Sequence, residues 1–252
     1  MNYGLYMSAA GAHTQSRRME VLAHNMSNAS TPGFKEELAV VQARHSRAAQ
    51  LGKSSPGDGS INDLGSGVSL VETMTNFSPG PIKNTNRKLD VAIEGDGFFV
   101  VQKDGENFLT RAGNFHVDNN GRMRTAQGFT VMSRDNTPIV LDPTGAREIH
   151  EDGFIPTSSG GDWLGLVRPA STRDLARAGE NLFRPLGPLE TVPYADRSVK
   201  AGMLEYSDVR PASAMIDMIE SSRAYESNIK MIQNQDQLTG SLIGRLLRGN
   251  NS

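Results

Sequence analysis

The chain has 252 residues, a formal net charge of −2 and a sequence pI of about 6.2, so nothing pulls it strongly toward nucleic acid. It contains no cysteine, which excludes disulfides, thiolate metal sites and cysteine nucleophiles together. Hydrophobic residues make up 37%, which is low for a compact globule of this length and implies an elongated chain or a core completed by neighbours.

In chain order, the opening MNYGLYMSAAGAHTQSRR has no basic region ahead of an apolar one, so it does not read as a secretory signal. No apolar run reaches the ~20 residues of a membrane span. The expected location is cytoplasmic unless the chain leaves by a route without a cleaved signal. Leu5, Ala9, Ala12, Ser16, Met19, Ala23 and Met26 step by four and three, which predicts a helix with a heptad seam. The seam residues are small or pliable, so a second helix could pack closely. Gly11 costs roughly 1 kcal/mol of helix propensity, which makes this helix dependent on a partner. The helix should end at NASTPGF, because Pro32 pushes Thr31 out of the α region and Gly33 permits a turn that other residues resist.

Lys35 to Val41 fits either an extended strand or a continued helix. LGKSSPGDGSINDLGSG, from Leu51 to Gly67, reads as a loop by its turn chemistry, and a short strand follows to Phe77. From Asp90 the pattern is β with hairpin punctuation. VAIE and FFVVQ flank Gly95-Asp96-Gly97, Asp104-Gly105 and Asn120-Gly121 mark tight turns, and Asp152-Gly153 fits a third. Short strands at close spacing predict a small antiparallel sandwich or barrel. DWLGLVRP reads as one more strand, and Arg173 to Phe183 as a polar connection.

After Pro211 a second helix is expected, with Pro at its first position. Met218, Tyr225 and Ile232 fall seven apart; Ser222, Ile229, Asp236 and Ile243 form a second row, and Leu246 extends the stripe. Helical to Leu247, it would be a rod of about 55 Å. A rod that long needs a partner, and the first helix supplies one. The fold class is therefore α+β: long N- and C-terminal helices paired as a coiled coil, with a central antiparallel β-rich domain. Residues 1–34 and 208–252 form the helical part, 35–80 a connector and 81–207 the β-rich domain.

A search for chemistry returns little. Gly95-Asp96-Gly97 lacks the third glycine of a dinucleotide loop and precedes a strand rather than a helix. The five histidines are scattered, no GxSxG elbow exists, and no carboxylate pair stands out. No catalytic, cofactor or metal site is expected, and no small-molecule substrate. One alternative remains: a secreted module whose β-domain binds a ligand through Phe98, Phe99 and Phe115, although such phenylalanines are more often sheet core.

GLYMSAAGAHTQSRRMEVLAHNMSNASTPGFK resembles the N-terminal motif of the bacterial flagellar rod and hook proteins. LDVAIEGDGFFVV with TRAGNFHVDNNGRM resembles the motif that opens their β-domain, and SDVRPASAMIDMIESSRAYESNIKMIQNQD their C-terminal helix. Asn25, Asn28, Pro32, Gly33 and Phe34 are the turn of the first motif; Gly95, Gly97, Phe98 and Phe99 belong to the second. Three matches in the right order cover about half the chain.

The resemblance implies terminal helices paired in the inner tube of an axial structure with a β-rich domain outside. Leu5, Ala9, Ala12, Met19, Ala23, Met26, Met218, Tyr225, Ile229, Ile232, Ile243 and Leu246 would form the assembly seam. It implies unfolded export through the flagellar type III apparatus without a cleaved signal. It also implies assembly, with itself and other rod and hook proteins, into a torque-bearing rod in the cell envelope, near ring proteins and peptidoglycan. The length and the NASTPGF form favour the proximal segment of the rod; GSGVSLVETMTNFSPGPIKNTNRKLDVAI resembles distal-segment members.

Overall fold

The computed structural model describes residues 3–43, 67–141, 148–157, 160–193 and 196–249. Most of the predicted Leu51–Gly67 loop lies outside these residues, as do the side chains of Val71 and of 245–249. The chain divides into two compact units.

The helical unit contains α1 (Tyr3–Ser27), the hairpin of β1 (Glu37–Ala43) and β2 (Val68–Thr75), and α2 (Pro211–Gly249). The two helices run antiparallel: Gly4 lies against Gln235, Gly11 against Asn228, and Arg18 sits 3.9 Å from Asp217. Gly11, poor for helix formation, is explained by this approach, since a Cβ there would meet Asn228 Oδ1 at 2.9 Å. Lys35 to Val41, open between strand and helix in the sequence, resolves as extended chain. β1 pairs antiparallel with β2 from Glu37↔Thr75 to Ala43↔Val68, with a bulge between Val40 and Val41.

The β unit contains Asn28–Glu36 and Phe77–Val209. Its strands are β3 (Ile82–Asn84), β4 (Val91–Ile93), β5 (Phe98–Lys103), β6 (Glu106–Thr110), β7 (Phe115–Val117), β8 (Met123–Thr125), β9 (Thr130–Val131), β10 (Phe154–Ile155), β11 (Asp162–Trp163), β12 (Leu166–Pro169), β13 (Leu175–Arg177), β14 (Phe183–Pro185), β15 (Leu189–Thr191), β16 (Val199–Ala201) and β17 (Met203–Glu205). All described pairings are antiparallel. The main sheet runs β13-β14-β6-β5-β9-β8-β7, and β12 joins β5 to β15.

The run FFVV shows why β5 is central. Phe99 and Val101 enter the larger core with Phe115, Met123, Val131, Ile155 and Leu164. Phe98 and Val100 enter a second cluster with Leu109, Met132 and Phe183. A strand buried on both faces needs continuous rather than alternating apolar residues. The β5–β6 turn uses Asp104 and Gly105 at φ 52° and 84°, the two positive values of a primed hairpin turn.

Two sequence expectations change. DWLGLVRP is not one strand: β11 and β12 are separated at Leu164 and Gly165, because Gly165 donates to the Met132 carbonyl and accepts from Val100. The polar connection from Arg173 to Phe183 contains β13 and the start of β14, paired through Leu175↔Pro185 to Arg177↔Phe183. With three residues, Leu175-Ala176-Arg177, β13 is too short to show a strand pattern.

Candidate assembly surface and the anchored turn

Across the helical unit many of the large apolar residues are exposed. On α2 a heptad of covered or half-covered positions, Ala214, Met218, Ser221, Tyr225, Asn228, Ile232, Gln235 and Thr239, steps by four and three, and Asp217, Ser222, Ala224 and Ile229 beside it are half-buried. Met218, Tyr225 and Ile232 are thus one row; the other consists of Ser221, Asn228 and Gln235. Of the row expected beside it, Ile229 is half-buried while Asp236 and Ile243 are exposed. On α1, Ala12 is buried, Leu5, Met19 and Met26 are half-buried, and Ala9 and Ala23 are exposed. Ser8 is buried beside Gly4 and Gly11 on the heptad row that meets α2. The seam therefore mixes small and polar residues with Met218, Tyr225 and Ile232, and Ser221 Oγ, Gln235 Oε1 and Gln15 Oε1 are buried without hydrogen-bond partners.

Large apolar side chains lie elsewhere on α2. Ile216 is 59% exposed, Leu238 63% and Leu242 60%, and Met215, Ile219, Met231 and Ile243 are also exposed. Met231, Leu238 and Leu242 share one face by helical spacing. Tyr3 and Tyr6 on α1, and Leu38 and its cross-strand neighbour Met74 on the hairpin, are exposed as well. Patches of this kind mark contact surfaces rather than solvent faces.

The NASTPGF motif splits its work between the units. Asn25, 1% exposed, binds the first residue of β1 like a neighbouring strand: its Nδ2 donates to the Glu37 carbonyl at 2.7 Å, and Glu37 N donates to its Oδ1 at 2.9 Å. The residues after it fold onto the β unit. Thr31 N donates to the Asn28 carbonyl at 3.0 Å, closing the turn. Asn181 Nδ2 donates to the Pro32 carbonyl at 2.8 Å. Gly33 has φ 67°, and a Cβ there would stand 2.3 Å from Ala112 N, so glycine is required twice over. Its N–H donates to the Glu205 carbonyl at 2.7 Å. Phe34 is buried under the Arg177 guanidinium, 4.8 Å from the ring centre.

Lys35 then enters the β unit completely. Its Nζ donates to Glu205 Oε1 at 2.6 Å and to the Ser78 carbonyl at 2.8 Å. Glu205 Oε1 also accepts from Gly80 N at 2.9 Å, and Oε2 from Arg111 Nη1 at 3.3 Å. Arg111 Nη2 donates to the Gly95 carbonyl at 2.8 Å, which ties in the Gly95–Gly97 turn. The side chains of Lys35, Glu205 and Arg111 are nearly inaccessible, at 2%, 2% and 6%. Burial pushes the Lys35 ammonium below the ordinary lysine range, and Glu205 opposes that shift; Arg111 is lowered the same way for the same reasons. A buried carboxylate between two cations holds only when its lone pairs are filled, as here.

The motif glycines and phenylalanines of the β unit are structural. Gly95 and Gly97 take φ 103° and 142°. Phe99 packs edge-on to Phe115 at 5.1 Å in the main core, and Phe98 packs with Phe77 and Phe183. Phe99 and Phe115 are fully buried in the main core, and Phe98 is 3% exposed. Sequence reasoning missed Glu205 and Arg111. In one-letter form they look like any surface charges, and the only signal was Lys35 at the end of a turn motif.

Among the described residues no group of three or more histidine, aspartate or glutamate side chains could hold a metal ion, and no helix is long and apolar enough to cross a membrane. Three families match the chain: "Flagella basal body rod protein" over residues 5–35, "Flagellar hook protein FlgE/F/G D1 domain" over 92–160, and "Flagellar basal body rod FlgEFG protein C-terminal" over 200–245. The first match covers α1 and the anchored turn, the second the centre of the β unit, and the third the return to α2. The flagellar basal-body rod protein FlgF of Caulobacter vibrioides is 33% identical over 250 residues, 98% of each chain. The rod protein FlgG of Borreliella burgdorferi is 32% identical, covering 95% of this chain and 97% of its own. FlgF of Salmonella typhimurium is 31% identical, covering 95% and 96%.

Proposed function

This chain belongs to the flagellar basal-body rod protein family and is a structural subunit of the rod, and we propose that it builds the proximal segment through its helical unit. The observation that carries this reading is the helical unit itself, whose seam mixes small, polar and half-buried apolar residues while a set of large apolar side chains stays exposed. In the proposed assembly α1 and α2 pair as a coiled coil in the inner tube. The exposed stripe of α2 packs on the next subunit, a heterologous contact that propagates into a tube. Other rod and hook proteins continue the same lattice. The chain reaches the periplasm unfolded through the type III export apparatus without a cleaved signal, and ring proteins and peptidoglycan surround it there. The β unit, anchored through Lys35 and Glu205, forms the outer wall.

The proximal assignment rests on chain length and the NASTPGF form. The Gly65–Ile93 stretch resembles distal-segment members about equally well, and relatives named FlgF and FlgG align at nearly equal identity. Quantitative mass spectrometry of basal bodies purified from the native cell separates the two. A few copies, about one helical turn, fit the proximal segment; copies spanning several turns fit the distal one. Absence from the basal body would overturn the assembly reading altogether.

A further inference from the structure

The β unit holds a cavity of about 250 Å³ that borders the buried network but is not part of it. Two guanidinium groups line it. Arg111 is 95% buried by its 5% exposure; its Nη atoms are committed to Glu205, Ile93 and Gly95, and its Nε has no partner. Arg168, on β12, is half-buried and makes no hydrogen bond or ion pair with any described residue. Its register partner on β15 is Glu190, yet the two form no ion pair. In each arginine it is the Nε–H that is buried without an acceptor; a buried donor left unpaired is costly, and a planar anion would relieve that cost.

The walls favour a particular anion. Phe77 and Phe98, edge-to-face at 5.8 Å, and Pro169 supply apolar surface. Asp96 is the one carboxylate lining the cavity, and Glu205 stands behind Arg111. Those two negative charges disfavour a dianion such as phosphate but leave a single charge well matched. The space is below the roughly 300–1,000 Å³ of typical cofactor pockets, so it suits a group the size of one acidic side chain. We propose that this cavity binds a carboxylate, gripped through the guanidinium fork of Arg168 with Arg111 as its second cation. Fork and carboxylate match in a bidentate, charge-assisted pair. The site stands whether or not the chain assembles into a tube.

The test uses the full chain labelled with ¹⁵N at arginine. It is titrated with a capped Gly-Glu-Gly peptide, with butyrate, and with the capped Gly-Gln-Gly control. Saturable shifts of the Arg168 and Arg111 Nε–H signals are expected in the millimolar range with the glutamate peptide and not with the glutamine one. Arg168→Gln, outside the buried network, weakens that response about tenfold or more. Binding of the peptide alone identifies a polypeptide carboxylate; equal binding of butyrate identifies a free acid. No saturable shift with either acid, an equal shift with the glutamine peptide, or an unchanged response in Arg168→Gln would overturn the site.

Discussion

The two units differ in how far they cover their large apolar side chains. The β unit hides Phe99, Phe115, Phe183, Leu109 and Met123 almost completely and leaves few, such as Leu186 and Val140, exposed. The helical unit exposes Ile216, Leu238 and Leu242, and its helices meet through glycine, serine, asparagine and glutamine beside the half-buried Met218, Tyr225 and Ile232. One unit has covered most of its hydrophobic surface by folding; the other holds more of that surface ready for another molecule. The difference teaches that a single chain can separate the stability of its fold from the stability of its assembly. Each then responds to different substitutions.

The largest effect is expected at the centre of the β unit. Glu205→Ala leaves Lys35 and Arg111 buried without their carboxylate, and should cost about 3–5 kcal/mol. Thermal unfolding followed by the fluorescence of Trp163, which is in this unit, reports the loss. An unchanged midpoint would mean that the network contributes nothing to the fold. Gly33→Ala follows, because it forces a side chain into left-handed φ against the Ala112 backbone; about 1–3 kcal/mol comes from the backbone conformation, before the clash. The same unfolding measurement reads it, together with exposure of Phe34 and Lys35 to limited proteolysis.

Ile232→Asp acts on the seam between helices. It should block assembly and leave the unfolding midpoint of the β unit within about 0.5 kcal/mol of the parent, the range of a change outside the core concerned. Normal motility in that strain would count heavily against the proposed inner tube. A smaller effect is local and follows pH. The Arg124 side chain foremost, with the amides of Arg122 and Asn120, holds Asp118 below the usual carboxylate range. The folded pKa lies below the unfolded one. The support for this turn is therefore full above the unfolded value and fades as pH falls through the folded value. Amide shifts of Asn120 and Arg122 should titrate with a midpoint below about 3.9; a midpoint at or above it would contradict the geometry. The smallest effect on stability belongs to Leu238→Asp, near zero in the monomer, because Leu238 already faces water.

Much of this plan was legible in the sequence because it rests on local rules. Pro32, Gly33 and Pro211 punctuate the helices, and Asp104-Gly105 needs two positive φ values. FFVV advertises a strand buried twice. The helix stripe of Met218, Tyr225 and Ile232 also appeared by spacing alone. What stayed hidden depends on contacts distant in sequence. Lys35 and Glu205 are 170 residues apart. Nothing near either one marks it as buried. The second seam row was also hidden, because Ser221, Asn228 and Gln235 are polar and a search for apolar periodicity passes over them. β13 was missed because Leu175-Ala176-Arg177, at the end of the sheet, is too short to show alternation.

Amide hydrogen exchange on the full chain, compared between the dilute monomer and the assembled tube, tests the central contrast most directly. The account predicts that β5, β6 and the Gly33–Lys35 turn are protected to the same degree in both. It predicts that α1 and α2 gain most of their protection only on assembly. Equal protection of α2 in the monomer and in the tube would contradict it, since the helical unit would then be complete without a neighbour.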